Sequence, residues 1–243
     1  MEKTVTIASR FNGPPSSANG GYACGLMASL IDGPAEASLK APPPLDKPLT
    51  LRGESGEARL YDGETVIGVA RATALTLDVP QMPQPLVLGP SPVAALEDSS
   101  GRPVEFEPFG GCFVCGHNRT PGDGLCIHAH KVEGHDGLVA APWKIDENLA
   151  GSDGYVDPVY IWSALDCTGY YACAAGRAAL LGRLSAEILA PLKAEGDATV
   201  LGWDLGSSGR KHRCGTAIYA ADGTLIAKAE GLWITVDPAK IAA

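Results

Sequence analysis

Two stretches of this chain carry helix start and stop signals; the first is rich in small residues, and the second is apolar on nearly every side. The rest alternates or is broken by proline and glycine. A helix that is apolar all round is one wrapped by other structure. The first stretch predicts a helix from about Asn19 to Ile31. Ser16, Ser17 and Asn19 are its candidate N-caps, and Asp32-Gly33 followed by Pro34 is its stop. The second, DPVYIWSALDCTGYYACAAG, predicts a helix from Asp157 to Gly176. Here Asp157 is the N-cap, Pro158 takes the first helical position and Gly176 marks the end.

Between and after these helices the period changes to two, the mark of strands. Before the first helix, Thr4–Ala8 alternates weakly. After it come Ala35–Leu39, a proline break at Ala41–Leu45, Leu49–Glu54, and a hairpin in which Glu57–Tyr61 turns through Asp62-Gly63 into Thr65–Leu77. Pro80 to Gly124 holds eight prolines and little periodicity, which predicts a connector. Strands are expected again at Leu125–His130 and Leu138–Pro142. Beyond the second helix they are expected at Gly182–Ile188, Thr199–Asp204, Gly215–Ala220 and, past a turn at Asp222-Gly223, Thr224–Val236.

The second half thus repeats the element order of the first. ARLYDGETVIGVARATALTLD aligns with AIYAADGTLIAKAEGLWITVD, both ending on an aspartate, Asp78 and Asp237, and Pro43 and Pro191 hold equivalent places. Agreement of both order and offset is the signature of a duplication. The expected class is α+β, with a first repeat over 1–80, a connector over 81–124 and a second repeat over 125–243.

A buried helix wrapped by an antiparallel sheet, present twice in one chain, resembles a double hotdog: two tandem repeats of a long central helix in a sheet. The words FNGPPSSANGGYACG, CFVCG with a following GDGL, and LGRLSAEI with GTAIYAADG are similar to those of a bacterial thioesterase-like hotdog family. The resemblance implies a site. Hotdog thioesterases of the phenylacetyl-CoA type carry His-Gly-Gly at a helix start, an aspartate seven residues after the second glycine, and active sites shared between two hotdogs. Here Asn19-Gly20-Gly21 resembles the first mark, with asparagine for histidine, but Ala28 stands where the carboxylate belongs. Asp166 matches the aspartate, but Pro158 and Val159 stand where the glycines belong. The halves are complementary, so the resemblance implies one complete composite site and one dead one.

The chemistry suits thioester hydrolysis. The first amides of a helix lack intrahelical acceptors and carry positive partial charge, and glycine lets a carbonyl oxygen approach them. The amide of Gly20 or Gly21 is the expected oxyanion donor, and Asp166 the expected general base or nucleophile. A carboxylate in a buried helix is costly unless paired or used, so the plain competing reading gives Asp166 a partner such as Arg183 or Arg210. Thr168 is a candidate to position water or the carboxylate. Arg10, Asn12 and Tyr22 are candidates to line the pocket. Arg210 and Lys211 belong to the one dense basic run and are candidates for the phosphates of coenzyme A.

Composition narrows the classes. A net charge of −9 over 243 residues argues against nucleic acid or an anionic membrane as partner. No apolar run reaches the ~18 residues of a membrane span, and no signal peptide is apparent at the N-terminus. Seven cysteines do not read as a disulfide framework, so a reduced, cytoplasmic setting is expected. Cys112, Cys115 and His117, with Cys126, His128 and His130 following, have zinc-ligand spacing and are weak metal candidates. No cofactor is expected beyond coenzyme A as part of an acyl-CoA substrate, and the partner expected is a second copy, as a homodimer of double hotdogs. A hotdog hydratase or dehydratase, and a non-catalytic acyl-CoA binder, are the competing functions. Hydratases usually pair the carboxylate with a histidine, for which His212 is a candidate.

Overall fold

The computed structural model describes residues 1–93, 109–238 and 241. The first half runs β1 (Glu2–Thr6), α1 (Gly20–Ala28), β2 (Ala35–Leu39), β3 (Pro48–Glu54), β4 (Glu57–Asp62) and β5 (Thr65–Ala72). The second runs β6 (His130–Lys131), β7 (Leu138–Lys144), α2 (Pro158–Cys173), β8 (Ala179–Ile188), β9 (Asp197–Ser208), β10 (Lys211–Ala220) and β11 (Leu225–Thr235).

The eleven strands among the described residues join one antiparallel sheet, in the order β1-β3-β4-β5-β2-β8-β11-β10-β9-β7-β6. Read outward from its middle, the first half gives β2, β5, β4, β3 and β1, and the second gives β8, β11, β10, β9 and β7 in the matching order, with the two-residue β6 added at the edge. The halves meet where β2 pairs with β8, in the register Ala35↔Ala186 and Ala37↔Leu184. These four side chains are buried. The strands alternate as their period demands: Leu49, Leu51, Ala58 and Leu60 point inward from β3 and β4, while Arg52 and Arg59 point out. Both hairpins turn on the expected Asp-Gly pairs, with Gly63 and Gly223 at positive φ.

The two helices cross inside the curve of the sheet, and glycine sets how closely. A Cβ on Gly21 would lie 2.6 Å from the Trp162 carbonyl oxygen and 2.7 Å from the Asp166 Cβ. A Cβ on Gly25, one turn on, would lie 2.8 Å from the Trp162 Cβ. Residues four apart share a helix face, so α1 presents a bare backbone stripe to α2. The other side of α2 lies on β9 and β10, where the Thr216 hydroxyl donates to the Leu165 carbonyl at 2.9 Å.

Some expectations need correction. α1 ends at Ala28 rather than Ile31, because Leu30 and Ile31 donate to carbonyls only three residues back and tighten the chain into turns. β1 covers Glu2–Thr6 rather than Thr4–Ala8. β5 stops at Ala72. Leu125–Ala129 is not a strand: Cys126 takes a positive φ, and the Leu125 and Ile127 amides donate to Phe113 and Val114. The connector expected at 81–124 lies in part outside the described residues. In its described parts, Met82, Leu86 and Leu88 pack over the outer face of β7, β9 and β10, and residues 109–116 run back toward the helix crossing.

Candidate functional site

Asn19 caps α1. Its side-chain oxygen accepts from the Tyr22 amide at 2.9 Å, which decides the orientation of the side chain. The amide nitrogen, Nδ2, then points across the helix crossing and donates to Asp166 Oδ2 at 2.9 Å. The Gly21 backbone N–H donates to the same oxygen, also at 2.9 Å. Residues 147 positions apart in sequence therefore meet at one carboxylate. Gly21 brings its amide that close because it has no Cβ.

Asp166 is 2 % exposed, and among the described residues its other oxygen, Oδ1, has no hydrogen-bond partner. Burial pushes the carboxyl up to about 7, against the pull of the Gly21 amide; Cys112 raises it further and the Asn19 amide lowers it. The plain reading of an arginine partner does not hold. Arg183 faces Glu36 and Glu230 on the sheet surface instead, and Arg210 sits in the exposed turn between β9 and β10.

Asp166, Asn19 and Gly20 line one wall of a cavity of about 330 Å³. Its other walls are mostly apolar and come from both halves: Leu39 and Pro43 from the first, Leu181, Trp233 and Ile234 from the second. That size and character suit a small acyl or aryl group. No histidine is among its described lining residues, and His212 instead hydrogen-bonds Thr235 at 2.8 Å.

Four of the expected pocket residues are not in the cavity wall. Tyr22 stacks on Phe11 with ring centroids 4.3 Å apart, inside an aromatic cluster with Phe113 and Tyr160. Asn12 holds the loop together, bonding the Gly13 and Pro14 carbonyls and accepting from Arg119. Arg10 donates to the carbonyls of Gly122 and Asp123. Thr168 lies two residues beyond Asp166, a rotation of about 200° on a helix. It therefore faces the sheet, where its carbonyl sits 2.8 Å from where a Cβ of Gly202 would be. Arg210 and Lys211 are exposed and stand beside the rim rather than in the wall. Lys211 pairs with Ile234, and the Arg210 carbonyl accepts from Thr235; Ile234 and Val236 line the cavity.

The metal candidates regroup. Cys112 and Cys115 lie together, but the third nearby ligand atom belongs to Cys167 on α2, not to His117. His117 stacks on His128 at 4.2 Å, and His130 bonds the Gly89 carbonyl. Cys112 and Cys167 also line the cavity. Spacing could not reveal Cys167, which lies 55 residues from Cys112 and reads as one more apolar position in a buried helix.

The architecture matches solved structures over nearly its full length. A "putative thioesterase" from Novosphingobium aromaticivorans aligns over 97 % of this chain and 96 % of its own, with a TM-score of 0.60 at 14 % identity. A "putative thioesterase II" from Thermobifida fusca aligns over 97 % and 92 %, with 0.59 at 13 %. A protein of unknown function with a hot dog fold from Alicyclobacillus acidocaldarius aligns over 98 % and 94 %, with 0.54 at 12 %. The fold is that of hotdog proteins. No protein-family profile matches the chain, and no curated protein matches it in sequence. Among the described residues no helix is long and apolar enough to cross a membrane.

Proposed function

We propose that the chain is a double hotdog that hydrolyses a small or medium acyl- or aryl-CoA thioester at one composite site. The observation that carries this reading is the Asp166 carboxylate. It comes from the second-half helix, is held by Asn19 and Gly21 at the start of the first-half helix, and lines a largely apolar cavity with one oxygen unpartnered. Two hydrogen bonds on Oδ2 fix the carboxylate; Oδ1, itself shielded from solvent, is the oxygen left to take a proton from water or to attack the thioester carbon once an acyl group enters the cavity.

The geometry sharpens the oxyanion assignment. The Gly21 amide is already engaged by Asp166, so the developing negative charge on the thioester oxygen falls to the amide of Gly20, which borders the cavity. The first helical amides have no acceptor within the helix, and the helix dipole favours negative charge at that end. Arg210 and Lys211, beside the rim, are placed to meet coenzyme A phosphates outside the cavity. A hydratase is the weaker reading, because no histidine stands beside Asp166 in the described wall.

The test is a panel of acyl- and aryl-CoA thioesters assayed for free thiol release, with enoyl-CoA hydration followed in parallel. Hydrolysis of at least one thioester is expected. Asp166→Asn, which preserves shape and can still accept both hydrogen bonds, is expected to lower kcat by about 10²–10⁴-fold. An inert panel, hydration without hydrolysis, or an unchanged rate in Asp166→Asn would refute the assignment.

A further inference from the structure

Cys112, Cys115 and Cys167 are buried, and their sulfur atoms all lie within 4.8 Å of one another. The Cys112 and Cys167 sulfurs are 3.7 Å apart. A disulfide holds its sulfurs at about 2.05 Å. A tetrahedral zinc ion with Zn–S bonds of about 2.3 Å separates its thiolates by about 3.8 Å. The Cys112–Cys167 spacing therefore excludes a bond between these two sulfurs and matches that of thiolates sharing a cation.

The local backbone makes the same point independently. Cys112-Phe113-Val114-Cys115-Gly116 folds into a tight turn, closed by the Gly116 amide donating to the Cys112 carbonyl at 2.9 Å. A Cβ on Gly116 would lie 2.6 Å from the Cys112 nitrogen and oxygen, so the turn requires glycine there. Within it, the Val114 N–H is aimed at the Cys112 sulfur at 3.4 Å. The Asn19 side-chain amide stands 3.8 Å from the Cys167 sulfur and 3.9 Å from that of Cys112. Both groups are N–H donors within reach of sulfur, and they would offset part of the negative charge that thiolates bring.

We infer that Cys112, Cys115 and Cys167 form a binding site for a thiophilic divalent cation, Zn²⁺, with its fourth position open to the cavity that Cys112 and Cys167 line. Thiolate donors select zinc over hard cations such as magnesium or calcium. Each sulfur exchanges its proton for a bond to the metal, so binding releases about three protons and involves no oxidation. Three thiolates and one Zn²⁺ leave a local charge of −1, faced by the Val114 and Asn19 N–H dipoles and also by the Asp166 carboxylate, which shares the Asn19 amide. A water molecule completes the tetrahedron. The metal would tie the 112–116 turn to α2 at the residue next to Asp166, fixing the wall of the cavity. This site stands on the sulfur geometry and the 112–116 turn and does not depend on the thioesterase reading.

The test uses the whole chain, produced in zinc-supplemented medium and purified without chelator. Elemental analysis should find about one zinc per chain. The metal-free protein titrated with Co²⁺ should develop thiolate-to-cobalt charge-transfer absorption and the visible bands of a tetrahedral ion, with proton release in step. Cys167→Ser and Cys115→Ser should lose the zinc and weaken the cobalt spectrum, while Cys126→Ser, outside the cluster, should keep both. If the serine variants fail to fold, the wild-type cobalt spectrum decides the matter alone. Zinc-free protein with no cobalt spectrum overturns the site. So does a Cys112–Cys167 disulfide in anaerobically purified protein, or full zinc retention by a folded Cys167→Ser.

Discussion

At the start of α1 the chain reads Asn19-Gly20-Gly21, and Asp166 stands across the helix crossing. At the start of α2 it reads Asp157-Pro158-Val159, and the position in α1 that matches Asp166 is Ala28. Both starts are capped: Asn19 accepts from the Tyr22 amide, and Asp157 accepts from the Val159 amide at 3.0 Å. The resemblance ends there. The α1 cap is an amide, so after accepting one hydrogen bond it still has a donor to give, and it gives it to Asp166. The α2 cap is a carboxylate with no donor. Pro158 has no N–H, the Val159 N–H is already taken, and Ala28 has nothing to receive. The two helix starts thus differ in every group that could do chemistry. A cap serves the helix at both starts, whereas only the α1 start offers donors to a facing carboxylate.

Substitutions can test this asymmetry, beginning with the largest expected effect. Asp166→Asn should nearly abolish turnover while leaving the melting temperature close to wild type, since its two donors keep an acceptor. Gly21→Ala should come next. Alanine normally favours a helix over glycine by about 1 kcal/mol, but here its methyl would press on the Trp162 carbonyl and the Asp166 Cβ. Overpacking of that kind costs about 1–3 kcal/mol and moves the carboxylate, so denaturant unfolding and kcat should both suffer. Ala28→Asp should destabilise the protein without adding activity, because the buried carboxylate would find no donors at α2. A gain in kcat from it would mean that the α2 start is a working site short of one group.

The smallest effect separates the caps. Asp157→Ala should cost about 1 kcal/mol, a thermal shift of about 2–4 °C for a chain of this size, with kcat unchanged. Asn19→Ala should cost the same for its cap, and a further 1.5–3 kcal/mol or so for the hydrogen bond lost from a buried carboxylate, with kcat reduced. Equal effects in the two variants would mean that Asn19 is only a cap.

Much of this was legible in the sequence, and the reasons are local. α2 announces itself through Asp157, Pro158 and an apolar run, because caps and periodicity act over a few residues. The Asp62-Gly63 and Asp222-Gly223 turns set the hairpins in the same way. The pairing of Asn19 with Asp166 is not local. The repeated element order pointed to it, because two like units packed as a pair would bring the start of one helix to the middle of the other. What the sequence concealed was direction and close approach. Thr168 is near Asp166 in sequence yet on the opposite face of the helix. Tyr22 looked like a pocket residue but is drawn into the aromatic cluster by Phe11. Cys167 joins Cys112 and Cys115 only through tertiary packing, which leaves no spacing to read.

The central claim is that the two halves build a single working site between them. Isothermal titration calorimetry with a non-hydrolysable acyl-CoA thioether tests it most directly. The account predicts one ligand bound per chain, the same stoichiometry in folded Ala28→Asp, and weakened binding in Gly21→Ala. Two ligands per chain, or affinity untouched by Gly21→Ala, would contradict it.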